Sequence, residues 1–599
     1  VITPSKAAVI FSLHENVTAA PKEKMKRILI AGCMFFAAMV SAETVIDITT
    51  LGAGCDGRDS TPAVQKALAM AAATSDSVVI KFPKGRYDFA PHFAGEDYLF
   101  ISNNDEGLKR IIFNLRGLKN ITIDGCGSDF VFHGLVVPFC AKNSAKIKFK
   151  NFTVDFFRPH HSEAKVVSSK PGETVLEIDT AEYPFDVRNG VLMFFGKPDP
   201  LFPDDQRKVM YPYRRINEFD AEKKELAYRT PDRNVFPAIP AKKLSENRVA
   251  VMHPTLLPKV GNVLVFQPQR RDCPDFVLTG AAGVLLENVI VYSANSMGVL
   301  GENSSNITIR DCKFTPQKGR YLSCGCDATH FVNCTGFITL ENNLFENQLD
   351  DATNIHGIYE QIVSVDGNTA ITRLGESQQF GFETFSVGQR VEFVDGQSVV
   401  KLGEGEIDAV ERINKEYKRL TFKSAVPKSV KERDAIAVIR DYPKVSITNN
   451  IIRNNRARGI LVNSRGKTVV RKNYFHASGT AILFEGDAVF WFEQGGVSDC
   501  LITENVFDNC GYSVWNDGVI AVGSGIRADR AKSRYHKNIR IENNTFNVFD
   551  EFPLLNIYCV DGLLWRNNKV NKTTAYPARK LKNPQPFKVS DCDNIKIIP

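Results

Sequence analysis

Beyond residue 42 no stretch of this 599-residue sequence approaches the roughly 18 uncharged apolar residues that a membrane helix needs, so no membrane span is expected. Neither sign of charge dominates. Lys and Arg number 75 against 68 Asp and Glu, and no Lys/Arg stripe accompanies the small excess, which argues against nucleic acid as a partner. No second CxxC-type pair completes a tetrahedral zinc set with Cys324, Cys326, Cys334 and His330, so these cysteines are expected to be buried or bridged. The glycine run from Gly52 to Gly57 lacks the Lys-Ser/Thr of a phosphate loop and reads as a turn. With 43% hydrophobic and 24% charged residues, nothing places the chain among disordered, collagenous or coiled-coil proteins.

What is present begins with an export signal. Met25-Lys26-Arg27 forms a basic start, Ile28 to Met39 an apolar core and Val40-Ser41-Ala42 a small-residue cleavage pattern. Residues 25–42 therefore read as a signal peptide and residues 1–24 as an untranslated upstream extension, with the mature chain secreted or periplasmic. Ile30-Ala31-Gly32-Cys33 resembles a lipoprotein box, but the apolar runs around Cys33 have the wrong lengths for one.

A short phrase then recurs: alternating apolar residues, a polar residue, Asn, and another apolar pair. It appears around Asn151, Asn288, Cys312, Asn343, Asn450, Asn473, Asn505, Asn544 and Asn568. Uninterrupted spacings run from 23 residues (Asn450 to Asn473) to 39 residues (Asn505 to Asn544). Short strands at that period predict an all-β, right-handed parallel β-helix with rungs about 4.8 Å apart. The repeated Asn is expected to form an internal amide ladder, since buried polar groups need partners.

Two gaps break the rhythm, and both read as inserted small β-barrel-like modules. The division is a cap helix and first rungs at 43–159, a module at 160–275, rungs at 276–359, a module at 360–441 and rungs at 442–599. The helix is expected to start at Ser60-Thr61-Pro62 and to close the open end of the solenoid.

The chemistry is expected at Asp350-Asp351. Adjacent carboxylates repel, and Asp327 lies 23 residues before Asp350, one rung's length. Asp351 is eight residues past Asn343 and Arg458 eight past Asn450, so Arg458 should sit one rung beyond Asp351. Arg456 and His356 lie near the same line. Three clustered carboxyls split their acidities, so that one donates a proton while others accept, as glycoside hydrolysis requires. A calcium site or an idle acidic turn would use the same residues. Glu485, two rungs past the Asp pair, and Trp491, in a long turn, are candidates for binding a sugar hydroxyl and an apolar sugar face. His330 is expected to pack or bond backbone near Asp327 rather than to titrate in the mechanism.

These motifs resemble glycoside hydrolase family 110. The likeness rests on Gly52-Ala-Gly-Cys-Asp-Gly-Arg-Asp-Ser-Thr-Pro62, Phe82-Pro-Lys-Gly-Arg-Tyr87, the rung phrases, Cys326-Asp-Ala-Thr-His330 and Asp350-Asp-Ala-Thr-Asn-Ile-His356-Gly357, and it spans nearly all of residues 43–599. It implies an enzyme that removes terminal α-1,3-linked galactose from glycans with inversion and needs neither metal nor cofactor. A more distant likeness, to the family 28 polygalacturonases, whose lone Asp, Asp-Asp, His-Gly and basic motifs match Asp327, Asp350-Asp351, His356-Gly357 and Arg456-Ala457-Arg458 in order, implies Asp350 as general acid and Asp327 and Asp351 as water-activating residues; Arg456, Arg458, His356 and Asn354 are expected on the substrate. This sequence departs from that pattern in Gly325-Cys326-Asp327 and in Arg456-Ala457-Arg458. The rivals are a calcium-dependent β-helix lyase and a noncatalytic glycan-binding β-helix. Whether the chain forms a homo-oligomer is open at this level.

Overall fold

The computed structural model describes residues 43–104, 106–202, 209–235, 238–523, 525–579 and 583–598; the expected signal peptide and Cys33 lie outside them. Within these residues the recurring phrase folds into rungs of two parallel sheets, one of 21 strands and one of 13. The alternation sets the register. Leu286, Ile309, Leu340, Ile447, Val470, Ile502, Ile541 and Trp565 pair in succession and form one buried column. Leu340 pairs with Ile447 across the whole second insertion, which therefore leaves the stack uninterrupted.

The amide ladder is present. Each Asn from Asn343 through Asn450, Asn473, Asn505 and Asn544 donates its backbone N–H and Nδ2 to Oδ1 of the next, at 2.9–3.0 Å, ending on Asn568. Nδ2 also donates to the backbone of the preceding rung, as Asn450 does to Leu340 O at 2.9 Å. The residue before each ladder Asn takes a left-handed turn, for instance Asn449 at φ 59° and Lys472 at φ 56°. Asn151 and Asn288 prove to belong to that outer column: both have positive φ, Asn288 Nδ2 donates to Asn151 Oδ1 at 2.9 Å, and Phe152 and Val289 hold the inner place. Asn tolerates the left-handed region, so it serves at either position and the phrase alone cannot separate them. Asn450→Ala should cost about 1–3 kcal/mol for each buried group left unpaired, read as a lowered denaturation midpoint.

The modules differ from each other. Residues 162–268 form an antiparallel sheet of eight strands whose pairing path has two ends, whereas Glu360 to Val438 forms a closed barrel of six strands. The helix Thr61–Ala72 turns Ala63, Val64, Ala67, Leu68 and Ala71 into the end of the core, as expected of a cap. Ser60 precedes it without a side-chain capping bond; Asp59 Oδ1 instead accepts the Thr61 N–H at 2.9 Å. Among the described residues every cysteine is a free thiol, and most are buried.

Candidate active site

The site lies at one turn of successive rungs, just before the strands Thr329–Val332, Thr353–Ile358 and Ile460–Val462. Thr329 pairs with Thr353 and Thr353 with Ile460, so Asp327, Asp351 and Arg458 occupy equivalent positions on consecutive rungs. The rung arithmetic therefore holds. Asp351 N–H donates to Asp327 Oδ1 at 3.1 Å. One oxygen from each of Asp327, Asp350 and Asp351 lies within 4.8 Å of the others. Arg458 forks onto Asp351, with Nε to Oδ1 and Nη2 to Oδ2 both at 2.9 Å, and its Nη2 is 3.5 Å from Asp350 Oδ1.

The three carboxyls are not equivalent. Asp351 has no exposed side-chain surface and Asp327 only 5%, while Asp350 keeps 16%. Burial, with Asp350 close by, pushes Asp327 up to about 7. Burial also pushes Asp351 up to about 8, against the pull of Arg458. Burial would raise Asp350 too, but Arg458, Arg456, Arg271 and Arg215 outweigh it and hold its carboxyl below the usual range. Burial therefore favours the protonated form on the two deeper aspartates and the arginines favour the ionised form on Asp350. Such a cluster titrates as a set.

The arginines come from distant parts of the chain. Arg271, just past the first module, places Nη2 3.4 Å from Asp350 Oδ2. Arg456 points Nη1 at the same oxygen from 3.7 Å, but its main partner is Asp232, which it grips through Nε at 3.0 Å and Nη2 at 2.5 Å. Asp232 also takes Nδ2 of Asn217 at 2.7 Å and lies 3.4 Å from Nη1 of Arg215. Arg456, expected on the substrate, is thus first a clamp between the β-helix and the first module. Trp515, 41% exposed, covers the guanidinium of Arg456 at 4.7 Å from the ring centroid. Asp232→Ala should release Arg456 and lower kcat/KM by about a hundredfold, as misplaced site groups do, with the fold retained by circular dichroism.

The remaining candidates separate. Asn354 pairs with His330 and Leu461 across the rungs, and its Oδ1 is buried and without a hydrogen-bond partner among the described residues. His356 is closed off, its side chain fully buried between His330 and Glu493, so it is corrected from a substrate contact to a supporting group. Gly357 after it is required by close approach: a Cβ there would meet Gln494 Oε1 at 2.2 Å. That packing lets Glu493–Gln494 pair antiparallel with Gly357–Ile358 and carries Glu493 to 3.6 Å from His356. Glu485 N–H donates to Asn463 Oδ1 at 2.8 Å, and burial raises the Glu485 carboxyl to about 7 against the pull of Arg458. Trp491 is 40% exposed, edge-on to Phe490, and no contact ties it to the aspartates among the described residues. His330 bonds the carboxyl of Asp327 rather than backbone, with Nδ1 2.6 Å from Oδ2.

Fold and site together define the class, a β-helical glycosidase. Residues 162–264 match the family described as GLAA-B beta-barrel domain I, 369–436 match GLAA-B beta-barrel domain II, and 418–573 match the right handed beta helix region. Alpha-1,3-galactosidase A of Shewanella woodyi is 34% identical over 553 residues, covering 90% of this chain and 88% of that protein. Alpha-1,3-galactosidase B of Parabacteroides distasonis is 32% identical over 577 residues, covering 91% of each. Among solved structures, the mannuronan C-5 epimerase AlgE6 A-module of Azotobacter vinelandii aligns with a TM-score of 0.38 at 10% identity, over 92% of this chain and 99% of that one. The chain belongs to the alpha-1,3-galactosidase family.

Proposed function

We propose that this chain is an exo-acting hydrolase that releases terminal α-1,3-linked galactose from glycans with inversion, secreted or periplasmic in location. The observation that carries the reading is the unequal trio: two buried carboxyls, in which burial favours the protonated form, and one reachable carboxyl, Asp350, ringed by arginines. Only Asp350 has the exposure to meet a glycosidic oxygen. As that oxygen approaches, Asp350 takes the proton that Asp351 holds, and Asp351 is left as a carboxylate in the fork of Arg458. Asp350 then donates the proton to the departing oxygen while Asp327 and Asp351 face the attacking water. In this reading Asn354 and Glu485 bind sugar hydroxyls and Trp515, 41% exposed, stacks on an apolar sugar face.

The spacing of the trio does not by itself select inversion. Inverting pairs stand about 6.5–9.5 Å apart and retaining pairs about 5–5.5 Å, and the nearest oxygens here lie within 4.8 Å. Inversion rests on the family likeness. A proton NMR time course of hydrolysis should show β-galactose first; α-galactose first would mean that a carboxylate of the site attacks the sugar directly.

A further inference from the structure

Asp327 is the first link of a hydrogen-bond chain that ends on the backbone. Its Oδ2 lies 2.6 Å from His330 Nδ1, His330 Nε2 lies 2.9 Å from His356 Nε2, and His356 Nδ1 lies 2.7 Å from Gly357 O. A carbonyl only accepts, so His356 carries a proton on Nδ1. The two facing Nε2 atoms share one proton. With both rings neutral that proton belongs to His330, which leaves His330 Nδ1 bare and requires the hydrogen of the 2.6 Å contact to come from Asp327. At rest the alternative is an imidazolium on one of two rings exposed by only 2% and 0%, which burial opposes; during turnover Asp350 and Asp351 are both left as carboxylates, and negative charge at Asp350 favours the protonated ring. Asp327 Oδ1 already accepts the Asp351 N–H, so Oδ2 is the protonated atom.

This arrangement conflicts with a water-activating Asp327 unless its proton has somewhere to go. We propose that His330, backed by His356, takes the proton of Asp327 as water attacks, and so converts a resting carboxylic acid into the base; the idea rests on the hydrolytic reading above. The Oδ2–H bond breaks as an Nδ1–H bond forms on His330, whose Nε2–H stays directed at His356 Nε2. The Asp327 carboxylate takes a proton from the water whose oxygen bonds to the anomeric carbon, while Asp350 gives its proton to the leaving oxygen. The extra proton on His330 returns through Asp327 to Asp351, whose oxygen lies within 4.8 Å, and the resting state, with Asp327 and Asp351 protonated and Asp350 ionised, is restored. Nothing is oxidised or reduced.

The groups facing this chain bear on its titration. Asp350, Arg271 and Arg458 act on His330, Glu493 and Arg440 lie beside His356, and Asp350, Asp351 and Cys326 lie beside Asp327. His330→Gln keeps a side chain that can accept a hydrogen bond but cannot hold the proton. Its kcat on Galα1-3Gal should fall by about a hundredfold or more, with KM near that of the intact protein. The pH profile is the readout that a merely structural role would not move. Raising pH increases the ionised fraction of Asp327, so the variant's kcat should climb about tenfold per pH unit up to the value of about 7 to which burial raises that carboxyl. The intact protein should show no such slope. A uniform fall at every pH would overturn the proposal. Infrared difference spectra serve even if the His330 variant does not fold: at pH 6 the protonated-carboxyl bands of the intact protein, to which Asp351 and Glu485 also contribute, should include one component that is lost in Asp327→Asn and kept in Asp351→Asn, and no loss in Asp327→Asn would equally overturn the proposal. Absence of galactose release with that band present would reject the hydrolytic reading and, with it, the base role, while leaving the protonated Asp327 in place.

Discussion

Asp350→Asn is expected to lower kcat on an unactivated α-1,3-galactoside by at least about a hundredfold, the low end of what a positioned proton donor contributes. The asparagine keeps the size of the side chain and its contact with Arg271, 3.4 Å away in the intact site, but it has no proton to give the leaving oxygen. KM should change little, because Asn354, Trp515 and Glu485 remain. An aryl galactoside, whose leaving group needs little protonation, should recover much of the lost rate. Equal losses on both substrates would move the acid elsewhere in the trio, with Asp327 and Asp351 the next to test.

Arg458→Ala is expected to damage both fold and rate. The substitution leaves the fully buried Asp351 without its fork. With Asp351 in its neutral form no unpaired charge is left behind, so the cost is that of buried carboxyl oxygens losing their donors, about 1–3 kcal/mol. The midpoint of chemical denaturation should fall accordingly. Activity should also drop, because without the guanidinium Asp351 keeps its proton and cannot pass it to Asp350. Arg458→Lys should restore the charge and some stability but little of the rate, since an ammonium cannot reproduce the planar two-point contact. Full recovery by lysine would show that only charge matters at this rung.

Much of this site could be read from the chain because a solenoid converts sequence spacing into spatial neighbourhood. Counting residues from Asn343 and Asn450 was enough to put Arg458 beside Asp351, and one rung's length put Asp327 beside them. The same counting slipped at Asn151 and Asn288, where Asn fills the left-handed turn and an apolar residue fills the ladder position. The first module has no such period. Asp232 reaches Arg456 across 224 residues and Arg271 reaches Asp350 across 79, through an antiparallel sheet whose pairing no repeat announces. Glu493 escaped for a related reason: its short strand turns back antiparallel onto Gly357–Ile358 and so departs from the rung count that located Glu485. Trp515 had a signal, an exposed aromatic in a turn two rungs past the arginines, but Trp491 carried the same signal without the contact.

The most direct measurement incubates the purified chain with Galα1-3Gal in EDTA and follows free galactose and ultraviolet absorbance together. The account predicts galactose release at an undiminished rate with no new absorbance, because the three carboxyls and their arginines supply the proton transfers and the charge balance unaided. Loss of activity on chelation, restored by calcium, would contradict it and assign a metal to the same aspartates; a rising conjugated-alkene absorbance on uronate polymers would mark a lyase, and no release from any α-1,3-galactoside would mark a binding protein.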